Sequence, residues 1–97
     1  MNTEKNILIA EYIGMQKTNI GWYDNEEILN GIEQDNTFDL LLFDKSWNWL
    51  LAVVGKISSE FTRENLNYDV LAYTIADATI ENNINKAFDG LVLFLSK

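Results

Sequence analysis

The clearest pattern of apolar positions in this chain begins directly after Ser46. Apolar side chains then recur every three or four residues, at Trp47, Leu50, Leu51, Val54, Ile57 and Phe61. This spacing is typical of one face of an amphipathic helix. Ser46 is a suitable N-cap, and Asp44 adds negative charge near the positive end of the helix dipole. The pattern therefore predicts a central helix that begins at Trp47 and ends at Phe61 or Thr62.

Two features of this central helix depart from a single apolar face. Trp49, Ala52 and Val53 add apolar surface on one flank, which predicts that two sides of the helix are buried. Alternatively, Trp49 anchors a binding partner, because tryptophan is frequent in interface hot spots. Gly55 lies in the middle of the helix, where glycine costs roughly 1 kcal/mol relative to alanine. We interpret it as a point where another element approaches closely.

Two further helices are predicted towards the ends of the chain. Residues 3–14 form the first, with Thr3 as a cap and Gly14 as a typical stop. Its shared apolar face comprises Ile9, Tyr12 and Ile13. Thr79 is a suitable cap for the last helix. The apolar stripe of that helix comprises Ile80, Ile84, Ala87, Phe88, Leu91 and Leu95.

Three segments are predicted to be strands. Residues 19–24 and 38–43 are short apolar runs that could pair antiparallel, and residues 66–75 alternate in a way that fits a third strand. Residues 24–37 are polar and rich in turn-forming side chains. The predicted order is α-β-β-α-β-α. It describes a small α+β domain with a three-stranded, mostly antiparallel sheet packed with helices.

Composition narrows the class of protein. A chain of 97 residues predicts a single domain over residues 1–97, and its apolar content of 47% is that of a folded protein. Cysteine is absent, which excludes disulfides and thiolate metal sites. The chain has neither an apolar run of about 18 residues nor the start of a signal peptide. We therefore expect a protein of the cytosol.

Charge is the most informative property of the composition. The formal net charge is −8, which opposes direct binding to nucleic acid or to anionic membranes and favours a basic protein partner. Seven of the fifteen acidic residues lie between Lys17 and Lys45, where no basic residue accompanies them. Two aromatic residues stand beside them. We define the predicted acidic patch as Trp22, Tyr23, Asp24, Glu26, Glu27, Glu33, Asp35 and Asp39.

This stretch has two interpretations. As a partner-binding surface, it would dock against basic groups of another protein, since aromatic residues interleaved with acids suit a protein interface. As a solvated loop, it would hold acids without a specific role, and Trp22 and Tyr23 would belong to the sheet, with one of them facing the core.

Candidate catalytic chemistry is sparse. Histidine is absent, Arg63 is the only arginine, and the five glycines are too scattered to form a phosphate loop. Carboxylates are the only catalytic or metal-binding candidates left, and neither residues 24–27 nor residues 35–39 match a calcium loop. We therefore expect a protein that is not an enzyme, with no cofactor and no metal site.

Three segments resemble a family of small proteins from phages and prophages of Bacteroidota. They are residues 8–14 (LIAEYIG), residues 46–50 (SWNWL) with residues 53–57 (VVGKI), and residues 80–95, which together cover roughly half of the chain. Family members have an IAEFMG-like opening, then SWDWLMPVVEKI, then a short strand and an amphipathic C-terminal helix. Ala52 and Gly55 stand where the family has proline and glutamate.

The resemblance implies a fold similar to phage α-β-α sandwich domains and a role as an anti-defence factor, specifically an anti-CRISPR protein. CRISPR effectors hold guide RNA and target in basic channels, which an acidic protein could occupy or distort. The functional hypothesis is a phage-encoded inhibitor that binds a CRISPR effector nuclease directly. The predicted acidic patch would be its docking surface.

Two other classes stay open. The chain could be a structural or regulatory module of the phage that self-associates through Trp49 and Val53. It could also be a carboxylate metal enzyme, which would need its acids buried in a cleft. The sequence leaves open the identity of the target and the oligomeric state.

Overall fold

In the computed structural model, which describes residues 2–29, 37–60 and 66–96 (residues 66 and 67 by their backbone alone), four helices and three strands follow in the order α-β-β-β-α-α-α. The helices are α1 (Thr3–Tyr12), α2 (Trp47–Glu60), α3 (Leu66–Glu81) and α4 (Ile84–Leu95). The strands are β1 (Gln16–Thr18), β2 (Gly21–Tyr23) and β3 (Thr37–Phe38), paired antiparallel in the order β1-β2-β3. The predicted α+β domain with a three-stranded antiparallel sheet is confirmed.

The central helix, α2, begins where its pattern predicts. The Trp49 backbone N–H donates to the Ser46 hydroxyl at 3.3 Å, and the Leu50 N–H donates to the Ser46 carbonyl at 3.0 Å. These bonds satisfy donors that the first turn of a helix leaves without partners. The prediction of Ser46 as the N-cap is therefore confirmed.

The buried face of α2 is rotated from the predicted one. Its buried residues are Trp49, Leu50, Val53 and Ile57. Leu51, predicted to face the core, is 42% exposed. The reason is the size of Trp49, because burying its large apolar side chain turns the predicted flank towards the core. The centre of the buried face therefore lies closer to Trp49 than to Leu51. Burial of Trp49 also shows that its interpretation as a partner anchor is wrong.

The core forms around the Trp49 side chain, which is 2% exposed. Its ring lies roughly perpendicular to the rings of two phenylalanines, with centroid distances of 4.9 Å to Phe38 and 5.2 Å to Phe43. Such T-shaped pairs suit the charge distribution of aromatic rings. On the other side, α4 packs against α1, α2 and α3, so the sheet and the helices share one interior.

The first hairpin requires glycine at position 21. β1 and β2 pair with Thr18 opposite Gly21, and the Thr18 hydroxyl donates to the Gly21 carbonyl at 2.8 Å. Gly21 has φ of +138°, and a Cβ there would lie 2.5 Å from the Phe38 carbonyl oxygen. Glycine alone permits this backbone and this close approach of β2 to β3. β1 itself was not predicted, because its residues are all exposed and polar.

The predicted strand at residues 38–43 is wrong beyond Phe38. Residues 39–45 form bends and a turn instead, in which the Lys45 and Ser46 N–H groups both donate to the Leu42 carbonyl. The Phe43 N–H donates to the Asn6 side-chain oxygen at 3.0 Å rather than to a neighbouring strand. The Asn6 side chain of α1 thus replaces the ladder partner that a longer strand would need.

The predicted third strand at residues 66–75 is also wrong, because this segment lies in α3. Leu71, Ile75 and Ala78 are buried at helical spacing and pack towards α4. The alternation in residues 66–75 fits a helix as well as a strand, and the tertiary contacts with α4 decide between them.

The final helix starts later than predicted. Thr79 lies inside α3, where its hydroxyl donates to the Ile75 carbonyl at 2.8 Å, and Ile80 is exposed. The break comes at Asn82, with φ of 52°, and Asn83 caps α4 by accepting from the Lys86 N–H at 3.2 Å. Asparagine tolerates this left-handed conformation better than most residues. The predicted burial of Ala87, Phe88 and Leu91 is confirmed.

Gly55 offers a direct test of helix propensity. It is exposed in α2 and an added Cβ would meet no atom within 4 Å, so the predicted close approach of another element is wrong for the described residues. Gly55→Ala should therefore raise the free energy of unfolding by about 0.5–1 kcal/mol in urea denaturation. Gly21→Ala is the matched control and should lower it. Destabilisation by Gly55→Ala would contradict an open position.

Candidate interaction surface

The predicted acidic patch is divided by the fold. Glu33 and Asp35 lie outside the described residues. Glu26, Glu27 and Asp39 are exposed. Asp24 is fully buried, and this placement removes it from any surface on which a partner could dock.

Asp24 organises the segment that follows β2. One carboxylate oxygen accepts from the Ile28 N–H at 2.9 Å, and the other accepts from the Leu29 N–H at 2.7 Å. A carboxylate that accepts backbone N–H bonds in this way holds a turn in place. The consequence is that Glu26 and Glu27 are presented from an ordered turn, with the Glu26 stem 3.0 Å from the position of a Cβ added at Gly14.

Trp22 and Tyr23 point to opposite faces of the sheet, because side chains alternate along a strand. Trp22 lies between Lys17 and Phe38 in the register, on the face where Phe38 meets the core. The Lys17 ammonium lies 5.7 Å from the centroid of the Trp22 ring, within the range of a cation–π contact. Tyr23 is exposed on the other face, next to the turn that carries Glu26 and Glu27.

Trp22 lines an open groove of about 710 Å³. Residues 2, 3, 6 and 7 at the start of α1 and residues 39–42 line it too, and Leu40 among them is strongly exposed. Two lysines and two aspartates also line it: Lys17, Lys45, Asp39 and Asp44. The groove is therefore partly apolar and carries both signs of charge.

Asp44 and Asn6 form a polar network among the residues that line this groove. The Asn6 amide donates to one Asp44 oxygen at 3.0 Å, and the Asn2 amide donates to the other at 2.8 Å. Burial of the Asp44 carboxyl acts to raise its pKa, but the hydrogen bonds from Asn6 and Asn2, a backbone hydrogen bond and the charge of Lys45 together hold the pKa below its ordinary value. Asp44 is thus an ionised structural group whose acceptors are occupied.

Sequence reasoning missed this network, although one signal was present. Asn6 stands three and four residues before Ile9 and Ala10, on the buried face of α1. A polar side chain on an apolar helix face needs hydrogen-bond partners. Nothing in the sequence, however, identifies Asp44 and the Phe43 N–H, some 38 and 37 residues away, as those partners.

The surface has more carboxylates than cations to pair with them. Lys5, Lys56 and Lys86 make ion pairs with Asp89, Glu60 and Glu81, and Lys17 lies over Trp22. Among the described residues, seven further carboxylates that lie at least partly on the surface make no ion pair: Glu4, Glu11, Glu26, Glu27, Asp39, Asp69 and Asp77. This excess favours binding to a positively charged surface.

The described residues contain no group of three or more acidic side chains placed to hold a metal ion. Within the same ranges, no helix is long and apolar enough to cross a membrane.

Comparisons of the chain with protein-family models, curated proteins and solved structures find no match. The resemblance to phage proteins therefore stays a prediction. The function has to be inferred from the chain's own surface, with that resemblance as a guide to the partner.

Proposed function

We propose that this protein acts by binding a basic partner protein through the turn that follows β2. The observation that carries this proposal is the arrangement of Glu26 and Glu27. Both carboxylates are exposed, neither has an ion pair among the described residues, and the buried Asp24 holds their turn in place. A turn that is already ordered loses less conformational entropy when it docks.

Tyr23 extends this surface with an apolar contact. It is the exposed residue of β2 next to the turn, and tyrosine is enriched at the centre of protein interfaces. Asp39 lies at the other end of the strand pair, beside Gly21, and would contribute charge at the rim. Glu33 and Asp35 belong to the proposal by their charge. Trp22 lies on the opposite face of the sheet from Tyr23, in the groove, and is not part of the docking surface at the turn.

The specific form that we propose is inhibition of a CRISPR RNA-guided effector nuclease in the bacterial host cytoplasm. It rests on the resemblance to phage proteins and on charge complementarity, since such nucleases bind nucleic acid in strongly basic channels. An acidic turn that occupies a channel of this kind competes with the phosphate backbone.

The alternative that the chain self-associates through Trp49 and Val53 is not compatible with their burial. Trp49 is 2% exposed and Val53 is fully buried, so neither can contact a second copy while the chain is folded. We therefore keep the binding of a different protein as the proposed function.

The test is charge reversal at the turn. Glu26→Lys/Glu27→Lys should weaken inhibition of DNA cleavage by the purified host effector nuclease by about a hundredfold, because two attractive contacts become repulsive. Glu4→Lys/Glu11→Lys on α1 is the matched control. This control changes the net charge by the same amount as Glu26→Lys/Glu27→Lys, at two exposed carboxylates that make no ion pair among the described residues. It should alter inhibition less than about threefold.

Either of two results would contradict this assignment. Equal loss in both double variants would show that net charge matters and the turn does not. Full inhibition by Glu26→Lys/Glu27→Lys, with its helical content unchanged by circular dichroism, would show that docking occurs elsewhere.

A further inference from the structure

The outer side of α3 is an apolar helix face that the described residues leave uncovered. The inner side packs on α4 through buried Leu71, Ile75 and Ala78. The outer side carries Val70, Tyr73 and Ile80, which are 57%, 76% and 84% exposed. Soluble proteins rarely group large exposed apolar side chains without a use for them.

Helical spacing places these three residues together. Val70, Tyr73 and Ile80 stand at positions i, i+3 and i+10, with the small, exposed Ala76 between the last two. The stripe runs for about 15 Å along the helix axis, or nearly three turns. A small residue inside such a stripe lets the ridge of another helix approach closely.

The charges around the stripe decide what can cover it. Asp69 and Asp77 flank it and make no ion pair among the described residues, while Glu81 is already paired with Lys86. The segment Leu66–Glu81 contains no lysine and no arginine. Two copies of this face would therefore oppose aspartate to aspartate, and an anionic membrane would repel it.

We propose that the outer face of α3 binds an amphipathic helix of a partner protein. The apolar side of that helix packs on Val70, Tyr73 and Ile80, and lysines or arginines at its edges pair with Asp69 and Asp77. This is helix-on-helix recognition with basic flanks, which combines apolar burial with charge pairing. The surface is separate from the turn at Glu26 and Glu27, so the two proposals stand or fall separately.

The test uses a synthetic amphipathic helix of about 14 residues, with leucine on one side and lysine on the other, long enough to cover the stripe. A peptide with glutamate in place of lysine is its control. Titration of the lysine peptide into the ¹⁵N-labelled 97-residue chain should shift the NMR signals of the α3 backbone amides around Tyr73 and Ile80. Titration of the glutamate peptide should leave these signals unchanged. Tyr73→Ser/Ile80→Ser should raise the Kd by about tenfold or more.

Leu93→Ser is the matched control. Leu93 is an exposed apolar residue of α4, and its loss should change the Kd less than about twofold. Because serine lowers helix propensity, Asp69→Asn/Asp77→Asn is a second variant that leaves the apolar stripe intact. It should weaken binding at low salt and reduce the salt dependence.

Three results would overturn the proposal. The first is signal shifts that map away from α3, and the second is an unchanged Kd in both α3 variants. The third is a dimer of the chain alone, seen by sedimentation equilibrium and abolished by Tyr73→Ser/Ile80→Ser, because the face would then belong to a second copy. None of these measurements depends on inhibition of a nuclease or on Glu26 and Glu27.

Discussion

Replacing Trp49 with alanine should lower the free energy of unfolding by about 3–5 kcal/mol, the usual range for a buried large aromatic residue. Trp49 is 2% exposed, and its ring contacts both Phe38 of β3 and Phe43 of the following turn. Loss of the ring removes the apolar contact that joins α2 to the sheet. Because small domains have only about 5–15 kcal/mol of stability, this loss would consume a large part of it.

Urea denaturation followed by far-ultraviolet circular dichroism measures this effect without relying on tryptophan fluorescence. Leu51→Ala is the matched control on the same helix: Leu51 is 42% exposed and should cost less than about 1 kcal/mol. Trp49→Phe keeps an aromatic ring and should give an intermediate loss, so a result remains measurable if the alanine variant does not fold. If Leu51→Ala lowered the free energy of unfolding more than Trp49→Ala, the buried face would be the one that apolar spacing alone predicts, with Leu51 in the core.

The contrast between Trp49 and Leu51 shows how far periodicity predicts the fold. The spacing in residues 47–61 indicates a helix and its start correctly. It does not give the rotation of the helix, because apolar residues occupy more than half of its circumference. Which of them face inward depends on the partners in space, here Phe38 and Phe43, and these come from outside the helix.

The error at residues 66–75 has a related cause. Their alternation is compatible with a strand, yet Leu71, Ile75 and Ala78 also recur at helical spacing. The helix is selected by packing on α4, a contact that local pattern does not contain. The same packing leaves Val70, Tyr73 and Ile80 on the outside, so the exposed stripe of α3 could not be seen from the sequence.

The candidate site was predictable in part. Charge patterning identifies the acid-rich stretch, and the structure places Glu26, Glu27 and Asp39 on the surface. It could not show that Asp24 is an interior group bonded to the Ile28 and Leu29 N–H groups, since a buried and an exposed aspartate look alike in a sequence. The prediction that one of Trp22 and Tyr23 faces the core is confirmed, because Trp22 packs against the core and Tyr23 is exposed.

Asn6→Asp should lower the free energy of unfolding by about 3 kcal/mol at pH 7, because it places a second carboxylate against a buried one. The Asn6 amide nitrogen lies 3.0 Å from an Asp44 oxygen, and Asn6 is almost fully buried. The substitution replaces a donor with an acceptor at nearly the same volume. The Phe43 N–H keeps an acceptor, so the loss reports on the two acceptors of the Asn6 amide nitrogen, an Asp44 oxygen and the Asn2 carbonyl at 3.1 Å.

The pH range over which stability changes should differ between the wild type and Asn6→Asp. In the wild type the pKa of Asp44 is below its ordinary value, so its stabilisation is present above about pH 4 and is lost as the pH falls through the folded-state pKa. In Asn6→Asp the two carboxylates share one proton, which raises one pKa of the pair above its unfolded value. The variant should therefore gain stability as the pH falls from about 6 to 4, where the contribution of Asp44 in the wild type stays constant.

Urea denaturation at a series of pH values separates this effect from a simple loss of packing. Asn2→Asp is the matched control, because Asn2 also donates to Asp44, at 2.8 Å, but is only partly buried and precedes the positive end of α1. Its penalty should be smaller, since solvent screens the repulsion. A pH profile of Asn6→Asp that runs parallel to that of the wild type would mean that Asn6 and Asp44 do not share the buried contact seen in the structure.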